Sequence, residues 1–123
     1  MPRTTRLVVM AALALLSAIA LTACGGGGTP SPSPVSVTLT ATEFAFDTKT
    51  VNLSANTTAT IVLKNAGMIE HDFTVDTPAV KIHAAVGVTA EGKVGPLTAG
   101  TYDFYCSIPG HKEAGMVGTL EVK

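Results

Sequence analysis

Residues 100–123 read GTYDFYCSIPGHKEAGMVGTLEVK, and their periodicity decides the fold class. Tyr102, Phe104 and Cys106 fall on one face of a two-residue repeat, as do Met116, Gly118, Leu120 and Val122. These are two strands. Between them Cys106, His111 and Met116 stand at C-x4-H-x4-M, and Pro109-Gly110 interrupts any helix through the interval. A helical reading would also scatter the three side chains, since steps of five and ten residues at about 100° each do not return to one face. The interval is therefore a loop.

The same alternation extends upstream. Val35, Val37 and Leu39 oppose Ser36, Thr38 and Thr40, while Ala59, Ile61 and Leu63 oppose Thr58, Thr60 and Lys64. His71, Phe73 and Val75 share a third face. Turn residues at Asn65-Ala66-Gly67, Ala99-Gly100 and Pro109-Gly110 separate these segments, and no helical stripe follows Cys24. The pattern predicts an all-β sandwich of about seven or eight short strands. Thr77 to Pro96 is the least regular part; because a structureless loop of that length is unusual, weak edge strands are expected near Val80–Ile82 and Val86–Val88.

His71 and Cys106 lie on core-facing sides near strand ends, although neither is a large apolar residue. Their position calls for a reward beyond packing. One thiolate, two imidazoles and one thioether make the ligand set of a blue-copper electron-transfer site, trigonal His2Cys with a long axial Met. Zinc shares the Cys and His ligands, but a thioether suits it poorly, so Met116 favours copper. Singly, each residue has a plain alternative as a surface histidine, a core methionine or a buried inert thiol. The joint spacing is what points to metal. His83 has no ligand company and is expected on the surface.

The stretch 100–123 resembles the C-terminal copper loop of plastocyanin-type cupredoxins, and NAGMIEHDFTV, residues 65–75, resembles the segment that supplies their first histidine. The long C-x4-H-x4-M loop is closer to auracyanin-like and halocyanin-like members. The resemblance covers about residues 35–123 and implies a Greek-key β-sandwich, one copper ion cycling between Cu(I) and Cu(II), and one-electron transfer rather than catalysis. It further implies that His71, Cys106, His111 and Met116 are the ligands, and that the N–H of Asp72 donates to the Cys106 sulfur. Many relatives carry a neutral residue there; the ionised Asp72 side chain can only accept and is expected to take hydrogen bonds around Ser107. Met68, Ile69, Ile108, Pro109 and Ala114 are the apolar residues expected around His111, a small docking patch for a redox partner such as a cytochrome, oxidase, reductase or photosynthetic complex.

At the N-terminus Arg3 and Arg6 precede an apolar run from Leu7 to Leu21, the layout of a secretory signal over residues 1–23. Leu21-Thr22-Ala23-Cys24 resembles a bacterial lipobox, which implies acylation of Cys24 and attachment to the outer face of a membrane, periplasmic or extracellular. Residues 24–34 then read as an anchored Gly/Pro/Ser linker. With Cys24 acylated, Cys106 has no disulfide partner; an unpaired thiol in an exported domain needs an explanation, and binding metal is one. Without Arg3 and Arg6 the chain holds six basic and nine acidic side chains, a net charge of −3, which disfavours nucleic acid as a partner. A monomer is expected. Copper delivery would call for Met-rich or His-rich tracts, and copper catalysis for an open position or a second metal; the sequence offers neither. A metal-free structural sandwich is the remaining alternative.

Overall fold

A computed structural model of the chain describes residues 35–123. The signal segment, Cys24 and the linker lie outside the described residues. Among the described residues nine strands form two sheets: β1 (Val35–Thr42), β2 (Ala45–Phe46), β3 (Thr50–Leu53), β4 (Ala59–Asn65), β5 (His71–Val75), β6 (Val80–Ala84), β7 (Thr89–Val94), β8 (Gly100–Tyr105) and β9 (Val117–Val122). The first sheet has the order β2-β1-β4-β7 and the second β3-β9-β8-β5-β6. Pairing is antiparallel except for β1 with β4, in register from Val35↔Ala59 to Ala41↔Asn65, and β3 with β9. The all-β sandwich expected from the alternation is thus found, with strands beyond the expected seven or eight that include the two-residue β2.

Alternation works here because each sheet has one face on the core and one in water. From the first sheet Leu39, Ile61 and Leu63 are fully buried, and from the second Phe73, Phe104 and Leu120 meet them. Phe104 centres this layer, stacked on Phe73 at 4.9 Å and edge-on to Phe46 at 5.3 Å.

The irregular stretch resolves into two strands, one as expected and one displaced. Val80–Ile82 is the start of β6. Val86–Val88, by contrast, is a turn with Val86 and Val88 about half exposed, and the partner of β4 is β7, at Thr89–Val94. The apolar pair misled because β7 buries only Val94 fully, and the place of a core side chain at Gly92 is taken by Ile82, whose Cγ1 would lie 2.7 Å from a Cβ there.

Candidate metal centre

Three connections meet at one end of the sandwich: the β1–β2 tip at Glu43-Phe44, the β4–β5 connection 66–70, and the β8–β9 loop. The last is wound by its own backbone. Cys106 N–H donates to Met116 O (3.1 Å), His111 N–H to Ile108 O (3.0 Å), and Met116 N–H back to His111 O (3.0 Å). The three loop residues are thereby tied to one another through main chain, and Cys106, His111 and Met116 are all buried.

The β4–β5 connection is built by Asn65. Its side-chain oxygen accepts from Gly67 N–H (2.9 Å), an Asx-type turn, and its amide donates to Ile69 O (2.7 Å) and Ala84 O (3.0 Å). This delivers His71, wholly buried, at the first position of β5. Gly67 must be small: a Cβ there would lie 2.8 Å from Glu43 Oε1 and 3.0 Å from His71 Nε2.

One ligand atom each from His71, Cys106 and His111 lies within 4.8 Å of the others. Cys106 Sγ is 3.3 Å from His111 Nδ1 and accepts from the Asp72 N–H at 3.3 Å, the contact that the resemblance implies. Both ring nitrogens of His71 are buried without a hydrogen-bond partner. An unpaired buried imidazole is costly, and a metal ion bound by one nitrogen removes much of that cost. Burial, followed by the nearness of His111, holds the His71 imidazole below its usual range, so it is neutral and available as a ligand. Burial likewise pushes the Cys106 thiol up, against the pull of the Asp72 and Ile108 N–H groups; a metal would have to displace its proton. The donor set is soft sulfur plus imidazole, and it fits copper in either oxidation state.

Asp72 is fully buried, and its carboxylate is surrounded by donors: Ser107 N (2.7 Å), Ser107 Oγ (2.7 Å), Thr74 Oγ1 (3.0 Å) and Lys81 Nζ (3.3 Å). Burial alone would raise its pKa, but the Ser107, Thr74 and Lys81 hydrogen bonds outweigh that and hold it below the usual carboxylate range. The expected acceptor role toward Ser107 is met, and the network reaches further than the sequence suggested, to Lys81 on β6. It fastens the strand of one ligand to the residue after another.

Of the residues expected around His111, Met68 (81% exposed), Ile69, Pro109 and Ala114 are on the surface. Ile108 is different: it is half-buried and packs against the core. His83 is exposed, as expected, and pairs with Glu70 at 2.8 Å. Three residues at the centre went unnoticed in the sequence. They are Asn65, read only as a turn residue, Glu43, whose carboxylate accepts the Met68 N–H, and Phe44, whose ring meets that of His111 edge-on at 5.1 Å. Only Asn65 had a usable signal, in its place two residues before Gly67.

Comparison with known proteins agrees with this geometry. A family model described as the cupredoxin-like domain matches residues 7–120. Over 98 residues the chain is 37% identical to the copper-resistant cuproprotein CopI of Rubrivivax gelatinosus, a match covering 63% of this chain and 59% of that protein. This chain therefore spans less than two thirds of that relative's length. Among solved structures it is similar to auracyanin A, a blue copper protein from Chloroflexus aurantiacus, with TM-score 0.66 and 23% identity over 74% of this chain and 100% of the other. It is also similar to auracyanin B, with TM-score 0.67 and 24% identity over 74% and 91%. The reduced auracyanin of Roseiflexus castenholzii gives TM-score 0.65 and 19% identity over 74% and 98%. At these identities the structural likeness is one of fold.

Proposed function

The chain belongs to the cupredoxin-like domain family, and from that premise we propose that it is a mononuclear blue-copper electron carrier with no catalytic activity of its own. His71, Cys106, His111 and Met116 would hold the ion, which when bound supplies a one-electron Cu(I)/Cu(II) couple. The observation that carries the reading is the convergence of three buried ligand atoms with two otherwise unpartnered nitrogens of His71. Main-chain ties within the β8–β9 loop and the Asp72 network keep those residues in place across a change of oxidation state. A rigid donor set of this kind suits electron exchange because little needs to move. Adding copper to the purified domain tests it: one ion bound, an intense blue colour and reversible redox cycling are expected. Binding with only a weak, tetragonal spectrum would overturn the reading.

A second reading, copper tolerance, is favoured by the likeness to CopI. It separates from the first in cells, where loss of the chain would impair growth only under raised copper.

Exit and entry of electrons would run through His111, which is 5% exposed, and the docking patch would be made of Met68, Ile69, Pro109 and Ala114, exposed apolar residues of the two connections that carry His71 and His111. Exposed apolar patches mark interaction sites, and a small one would suit a brief redox encounter. Ile108, being half-buried, contributes chiefly by packing. Ala114→Glu or Met68→Lys should slow exchange with the partner protein by roughly tenfold while the blue spectrum stays unchanged. Stopped-flow rates equal to wild type for both variants would move the docking face elsewhere.

The lipobox-like Leu21-Thr22-Ala23-Cys24 supports export and attachment to a membrane through acylated Cys24. Cys24→Ser should release the protein from membranes or stall its processing. Intact mass spectrometry showing an unmodified N-terminus at another residue would remove the anchor.

A further inference from the structure

The tip of the β1–β2 hairpin breaks the rule for such turns. Thr42 pairs with Ala45, leaving Glu43 and Phe44 as a two-residue connection. Turns of this length favour Asn or Gly where φ is positive. Here Phe44 holds φ +58°, a conformation in which a bulky residue is an outlier. Its ring is also 45% exposed, so the strained residue buries only part of its apolar surface.

Strain of this kind persists where the surroundings enforce it, and it gathers at functional sites. What the conformation secures is one contact: the Phe44 ring stands at 86° to that of His111, with centroids 5.1 Å apart. The same His111 ring also meets His71, at 5.1 Å, and its Nδ1 faces Cys106 Sγ. Phe44 thus touches an imidazole that belongs to the ligand cluster. Glu43, beside it, accepts the Met68 N–H and so ties the same tip to the connection that carries His71. A two-residue turn therefore reaches both histidine-bearing segments.

We propose that Phe44 is a positioning residue: the hairpin tip accepts backbone strain in order to hold the His111 imidazole in its ligand orientation and keep water from it. The inference rests on the copper reading given above, but it concerns a residue that is not itself a ligand. Its signature is a division between fold stability and metal retention. Gly and Asn both tolerate positive φ, so Phe44→Gly and Phe44→Asn relieve the turn while removing the ring.

The test uses the two variants together with Phe44→Tyr, which keeps the ring. Unfolding midpoints of the metal-free proteins should be equal to wild type or higher for Gly and Asn. Release of Cu(I) to a strong chelator should be roughly three- to tenfold faster for both, the loss of one edge-to-face aromatic contact, and close to wild type for Tyr. Ring relaxation of isotope-labelled His111 in the metal-free protein should show greater mobility in the Gly and Asn variants only. Failure of wild type to take up copper would overturn the copper reading, whereas the ring measurement would still decide the role of Phe44. Release within twofold of wild type, an unchanged His111 ring, or a metal-free midpoint lowered along with retention would each overturn the proposal.

Discussion

On the proposed blue-copper reading, Cys106→Ser should fold and yet lack the intense blue absorption entirely, because that colour would arise from thiolate-to-copper charge transfer and a hydroxyl does not replace the sulfur. Three features make this the largest expected effect. Cys106 is the single free cysteine among the described residues, it is fully buried, and its sulfur is the atom that both His111 Nδ1 and the Asp72 N–H approach at 3.3 Å. Serine preserves the volume closely, and its hydroxyl can still accept the Asp72 N–H, so the fold should survive. Any copper retained by His71 and His111 would be held by harder donors with a weak spectrum. Absorption and paramagnetic resonance spectra of the copper-loaded variant decide the matter. A variant as blue as wild type would mean that Cys106 is not a ligand.

The second large effect is on stability. Asp72→Ala removes the acceptor shared by Ser107 N, Ser107 Oγ, Thr74 Oγ1 and Lys81 Nζ. Lys81 is more than half exposed and can turn to water, but the Ser107 and Thr74 donors are partly enclosed. Leaving such donors unpaired costs about 1–3 kcal/mol each, so the metal-free protein should lose roughly 2–4 kcal/mol, a fall in melting temperature of about 10 °C or more for a domain this size. Asp72→Asn keeps one acceptor and should lose less. The pH dependence has a definite sign. Because folding lowers the pKa of Asp72, its contribution is complete above about pH 5 and is lost as pH falls through about 4 and below. Wild type and Asp72→Asn should therefore converge in acid. Thermal melts from pH 7 to pH 3 check this, and a midpoint for Asp72→Ala within about 2 °C of wild type at pH 7 would show that the network holds little.

How far the sequence reveals the molecule depends on whether a residue's reason is local. His71, Cys106, His111 and Met116 were legible because strand alternation and one loop spacing carry them. The strands β4, β5, β8 and β9 were legible for the same cause, each with one apolar and one polar face. β7 was not: of its own residues only Val94 is fully buried, and the core space at Gly92 is filled by the side chain of Ile82 from the opposite sheet, which no reading of Thr89–Val94 alone can supply. Phe44 was hidden for a deeper reason. Its backbone conformation contradicts the habit of its residue type, and its ring partner is a histidine far along the chain. Lys81 reaches Asp72 only because β5 and β6 pair in a register where Thr74 faces Lys81 and Asp72 faces His83.

The direction of β1 gives the domain a polarity. The strand begins at Val35 and runs eight residues toward the Glu43-Phe44 tip, a path of about 25 Å at the usual rise per residue. The Val35 end of the strand therefore lies at the pole opposite the ligands. Seven consecutive backbone pairings with β4 keep that pole from peeling. A contact made at the Val35 end would leave the end of the sandwich that carries His71, Cys106 and His111 uncovered.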